Sequence, residues 1–162
     1  MSKLTSPFKS LKTVGVIGFV AGTLDITGAI VVNVVILQRT SMLRILQSIA
    51  SGIFGKSAYA GGMETALYGL LFHYIIATSW AAAYFFVFPI IPFFRTQKML
   101  SGLLYGVVVW LVMNLVVLPL SNVGQGHFTL QNVLIGLGIL IVCIGLPISL
   151  ITHKYYLPKI TQ

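Results

Sequence analysis

Acidic side chains are all but missing from this chain: in 162 residues there are two, Asp25 and Glu64, beside ten lysines and arginines. Asp25 stands inside an apolar run, GTLDITGAIVVN at 22–33, where a carboxylate needs a reason. Cysteine is as scarce. The single Cys143 excludes an intrachain disulfide and a cysteine-built metal cluster within one chain, and in an apolar segment it reads as a small packing residue. Charged residues of both signs make up 7%, against about 25% in an average soluble domain, so there is too little polar surface to solvate a globule. HExxH, GxSxG, paired carboxylates and a phosphate-binding glycine loop are all absent. The expectation is a protein that is not an enzyme, with no metal and no cofactor.

What the chain does have is hydrophobicity: 57% apolar residues and a mean hydropathy of +1.00. About 20 apolar residues cross the hydrocarbon core, and four segments qualify, at about 13–37, 64–88, 99–118 and 130–151. A lipid-spanning barrel would show short alternating segments instead. The expected fold class is therefore an all-α membrane protein, one domain over 1–162, built as a four-transmembrane-helix bundle. Lys9 and Lys12 ahead of VGVIGFVAG resemble the start of a signal peptide, but the apolar run continues to Leu37, which reads as a retained signal anchor. The formal charge of +8 flanks apolar segments rather than covering a soluble face, so the partner it implies is the lipid bilayer and not nucleic acid.

The basic residues also predict orientation. Seven (Lys3, Lys9, Lys12, Arg95, Lys98, Lys154, Lys159) fall at the two termini and in the second connection, against three (Arg39, Arg44, Lys56) in the first connection and none in the third. The positive-inside rule then places both termini in the cytoplasm. Within the first connection, Met42, Ile45, Leu46, Ile49 and Ile53 recur at helical spacing, with Arg44, Gln47, Ser48 and Ser51 on the other side. The segment at about 41–55 is expected to be an amphipathic helix, either interfacial or re-entrant.

Helical spacing also sorts the polar and small residues. Gly15, Gly18, Gly22, Asp25, Ala29 and Asn33 share one face of span one; Gly62, Ala66, Gly69, His73, Ala77, Trp80 and Tyr84 share one face of span two. Span three contributes Gly102, Gly106, Trp110 and Asn114. Small residues let helices approach closely, so Gly15, Gly18, Gly22, Gly69, Gly102 and Gly106 are expected packing positions, and Asp25, His73, Asn33 and Asn114 point into the bundle. An ionised aspartate at mid-membrane costs about 2.5–3.5 kcal/mol even on gentle insertion scales, so Asp25 must be protonated, paired or wetted. The two helices place Asp25 and His73 at similar depth, which predicts a hydrogen bond between them. Glu64, at the start of span two, is expected to pair with Lys56 or a loop arginine. His127 and His153 are expected at solvated interfaces, and Pro147 should kink span four because it has no N–H for the Cys143 carbonyl.

The motifs AGTLDI, RILQSIASGIFG, AYAGG, YGLLFHY, SGLLYGVVVWLVMNLVVLPLS and GLPISL, in this order, resemble a family of small uncharacterised bacterial integral membrane proteins with four spans, and the layout is more loosely similar to YagU-like inner-membrane proteins. The resemblance implies a bacterial inner membrane and carries no activity. Relatives often have a histidine in span four where this chain has Leu140. Two functions follow as expectations: a non-enzymatic protein that acts through helix packing, with a second copy or another membrane protein as partner, or a small proton-linked transporter or channel using Asp25 and His73.

Overall fold

The computed structural model describes residues 7–123 and 129–160; His127 and Lys3 lie outside them. Among the described residues there is no strand, and four helices are long and apolar enough to cross a membrane, at Lys9–Ile36, Gly62–Val87, Lys98–Leu120 and Leu130–Tyr156. The chain is an all-α four-helix bundle. Span one is α1 (Pro7–Ile30) prolonged by a π-helical segment, Val31–Ile36. The amphipathic segment is α2 (Met42–Phe54), followed by a 3-10 turn, Gly55–Ala60. Span two is α3 (Gly62–Val87), and a short α4 (Pro92–Thr96) follows the break at Pro89. Span three is α5 (Lys98–Val112), a π-segment Met113–Val117 and the short α6 (Leu118–Leu120); span four is α7 (Leu130–Leu140), a π-segment Ile141–Gly145 and α8 (Leu146–Ile160).

Local chemistry sets several of these boundaries. Ser41 and Thr129 cap α2 and α7, each accepting a bond from the backbone N–H three residues on. Two π-segments sit directly ahead of a Leu-Pro pair. Pro119 and Pro147 lack the N–H that the Leu115 and Cys143 carbonyls would take in an α-helix. The ladder upstream widens instead: Leu118 donates to the Met113 carbonyl and Leu146 to the Ile141 carbonyl, five residues back. The disturbance expected at Pro147 thus takes the form of a π-segment.

Span one packs on spans two and four, span three packs on span four, and α2 packs along span two. An aromatic-rich core, with Ile17, Tyr84, Phe85, Phe88 and Ile148 fully buried, fills the end that holds the start of span one and the end of span four. A smaller cluster around Ile26, Leu46 and Ala66 fills the other.

Apolar area gives little drive for helix association in lipid, so close backbone approach and interhelical hydrogen bonds matter more. A side chain at Gly18 would meet the Thr78 backbone, and one at Gly22 would meet Tyr74 and Ala77 at about 3 Å. Gly102 and Gly106 of span three lie against Gly145, Leu146 and Ile141 of span four. Gly15 is different from the expectation. It is exposed with open space around it, because the crossing of spans one and two begins only at Gly18.

A buried hydroxyl cluster adds a polar tie that the sequence did not announce. Tyr84 Oη lies 2.8 Å from Ser101 Oγ and 2.9 Å from Ser149 Oγ, and both serines donate to the Lys98 carbonyl. Three hydroxyl protons thus find two acceptors, Ser149 Oγ and the shared Lys98 carbonyl, across spans two, three and four. Tyr84→Phe keeps the ring stack on Phe94 and removes one donor. A cost of about 1 kcal/mol is expected, seen as a fall of roughly 2–4 °C in the melting temperature of the purified protein.

The amphipathic helix does not turn its whole polar side outward. Gln47 and Ser51 are buried: Gln47 Nε2 donates to the Gly62 carbonyl at 3.0 Å and Ser51 Oγ to the Ser48 carbonyl, so burial leaves neither unsatisfied. Arg44 is exposed, its guanidinium over the Tyr59 ring. The backbone of α2 at Leu46 and Ala50 rests on Gly69, seven residues, or about 10 Å, along span two. The helix is docked down the side of the bundle, with Ile45 and Ile49 facing inward.

Candidate functional site

Two cavities meet at Asp25. The first, of about 350 Å³, is lined by Asp25 and Asn33 from span one, Arg39 just beyond it, Trp110 and Asn114 from span three and Asn132 from span four. The second, of about 260 Å³, is lined by Asp25, His73, Trp80 and a wall of aliphatic side chains that includes Ile45 and Ile49 of α2 and Met113 of span three. Asp25, Ala29 and Leu140 belong to both. The first chamber gathers the polar side chains on one part of an otherwise apolar wall, the second is almost wholly apolar, and a carboxylate stands at the junction.

The polar chamber follows from spacing. Asp25, Ala29 and Asn33 are steps of four on one face, and Trp110 and Asn114 repeat the step on span three. Asn33 and Asn114 both lie in π-segments. Each amide donates to the carbonyl four residues before it, Asn33 Nδ2 to Ala29 and Asn114 Nδ2 to Trp110, both at 2.9 Å. A carbonyl only accepts, so each nitrogen is held against its own helix and each Oδ1 is turned away from it. Arg39 is held at the chamber's end by Asn132, Nη1 to Oδ1 at 2.9 Å.

The expected hydrogen bond between Asp25 and His73 is not there. His73, buried, donates through Nε2 to the Gly22 carbonyl at 2.8 Å. The close crossing at Gly22 brings that carbonyl within reach, one turn before Asp25, and the imidazole takes it. Asp25 and His73 line the same apolar chamber without bonding to each other. Among the described residues Asp25 makes no hydrogen bond and no ion pair. Cys143 packs where span four passes Gly28.

Other expected positions resolve differently. Glu64 is exposed in the first turn of span two, beside the positive end of the helix dipole, with no ion pair to Lys56 or an arginine among the described residues. His153 is buried, with Phe88 edge-on to its ring, rather than solvated; the helix of span four runs on past 151 and carries it into the aromatic core. Neither ring nitrogen of His153 has a hydrogen-bond partner, nor does the buried Thr152 hydroxyl. Among the described residues no three His, Cys, Asp or Glu side chains converge.

Sequence reasoning did not single out Arg39, Trp80, Trp110 or Asn132 as walls of one site. Two signals were present: Trp110 shares the Gly102–Asn114 face, and Trp80 shares the His73 face. Arg39 and Asn132 belong to span ends 93 residues apart, and only the fold brings them together. No family model, curated protein or solved structure matches the chain.

Proposed function

We propose that this chain is a bacterial inner-membrane protein, both termini cytoplasmic, that binds a small solute or proton at Asp25 and passes it through the bundle. The observation that carries this reading is the unpaired Asp25 carboxylate at the meeting point of two cavities. A residue kept only to lock helices together would be bonded across the interface, since the ionised form unpaired costs about 2.5–3.5 kcal/mol at mid-membrane. His73 already fills the locking role through Gly22. The seven-to-three distribution of basic residues supports the orientation.

A function built on recruiting a partner through small-residue faces has less behind it. Gly18, Gly22, Gly69, Gly102 and Gly106 are all occupied by contacts inside this chain. Of the six expected packing positions only Gly15 meets open space.

The reading requires water in the polar chamber. In a Cys143→Ser background, which has no cysteine, Asn33→Cys and Asn114→Cys are expected to react with a charged, membrane-impermeant thiol reagent at least about tenfold faster than Leu115→Cys. Leu115 is 60% exposed on the outside of the bundle, where lipid would cover it. Equal, slow labelling at all three positions would mean the chamber is dry and would overturn the proposal.

A further inference from the structure

The two chambers differ in chemistry and share one carboxylate, and the geometry points to the class of solute they hold together: a primary ammonium ion carrying a compact apolar tail. This inference rests on the proposed reading of Asp25 as a solute site. The head would sit at Asp25 facing the polar chamber and the tail would lie in the apolar one.

Charge is the first argument. Asp25 is the one acidic side chain on either chamber, and it makes no hydrogen bond or ion pair among the described residues. The one lysine or arginine on either is Arg39, whose guanidinium is engaged by Asn132 near the start of span four, and the His73 imidazole on the apolar chamber gives its Nε2 proton to the Gly22 carbonyl. Asn132 and Leu140, which stands beside Asp25, are eight residues apart on the same helix, or about 12 Å. At the junction itself, a cation is attracted and an anion is repelled.

Hydrogen bonding narrows the cation. An ammonium has three N–H donors and no acceptor. The Asp25 carboxylate can take one or two, and water in the polar chamber can take the rest. His73 Nε2 does not compete for the carboxylate, because Gly22 holds it. A bare metal cation is a poor alternative. It wants about six oxygen ligands, and the apolar side of Asp25 offers aliphatic side chains, Met113, Trp80 and His73, with no second side-chain oxygen.

That apolar side is the third argument. A chamber of about 260 Å³ with one carboxylate on its wall suits a molecule that is charged at one end only. Trp80 adds a ring face, against which a tail packs and a cation is also attracted. A solute polar along its whole length would leave its groups unpaired against Ile45, Ile49 and Ile76.

The chain carries its own reporters. Its two tryptophans, Trp80 and Trp110, stand one on each chamber, so intrinsic fluorescence reads occupancy of either. The full chain in nanodiscs would be titrated with phenethylammonium, neutral 2-phenylethanol and anionic 3-phenylpropionate. Phenethylammonium is expected to give a saturable change at least about tenfold tighter than the alcohol, with no saturable change from the anion, as loss of a charged hydrogen-bond partner implies. Asp25→Asn should remove that tenfold preference while leaving the weak response to the alcohol. Trp80→Phe should remove more of the phenethylammonium signal than Trp110→Phe. Charge selectivity of the unaltered protein needs no variant to fold. Equal binding of all three compounds, tighter binding of the anion, or no binding of any would overturn the ammonium assignment. The thiol-labelling result judges the site itself, and it stands or falls independently of these titrations.

Discussion

Gly106→Leu is expected to give no monodisperse protein on extraction, whereas Gly15→Leu should match the unaltered chain in yield and melting temperature. The contrast comes from what each position faces. An added Cβ at Gly106 would lie 2.5 Å from the Ile141 Cα and 3.0 Å from its backbone nitrogen, and Gly145 sits against the same turn. Backbone cannot rotate away as a long side chain can, so spans three and four would have to separate. Inserting even one methylene into a packed core costs about 1–3 kcal/mol, and leucine adds four carbons at a backbone-to-backbone contact. Gly15 meets nothing within 4 Å. Size-exclusion profiles of the two variants in the same detergent provide the comparison, and similar profiles would mean that spans three and four do not cross at Gly106.

The second large effect is local. Gly69→Leu should detach α2 from span two while the four spans remain assembled. A side chain there falls on the Leu46 carbonyl, so the helix must leave, and Gln47 loses its bond to Gly62 with it. Ile45 and Ile49 line the apolar chamber, so the chamber would lose one wall. In the Cys143→Ser background, Ile45→Cys and Ile49→Cys are expected to label slowly with a charged thiol reagent, and about tenfold or more faster once Gly69→Leu is added. Unchanged rates would place α2 elsewhere. Loss of the assembled protein would show that α2 is needed for the bundle itself.

The spans were legible because about 20 apolar residues in a row admit few alternatives. Their faces were legible wherever small residues recur at steps of three and four, as at Gly18, Gly22, Gly102 and Gly106. The same rule over-reached at Gly15, since periodicity assigns a face and does not say where along the helix a neighbour crosses it. Polar residues were harder. Gln47 and Ser51 read as solvent-facing because the pattern weighs polarity and not available partners, and a Gly62 carbonyl 15 residues away satisfied Gln47. His73 was matched with the nearest acid, but a backbone carbonyl, which has no signature in sequence, came closer. Asp25 lines two cavities, and the chambers around it belong to the packing of four helices and α2 together.

The π-segments have a consequence for how this chain would be aligned with others. A π-turn is a helix that has absorbed one additional residue without breaking its ladder, and three of the four spans contain one. Upstream and downstream of each, the helix keeps its ordinary period but is out of phase with itself by the angle of one residue, about 100°. A homologue lacking one residue between Leu140 and Pro147 would therefore keep an intact apolar span and turn a different side of its first half toward Asp25. Single-residue gaps inside these spans thus change which side chains face the chambers rather than damage the span, and a comparison that forbids gaps within membrane helices would superpose lipid-facing residues on chamber-facing ones.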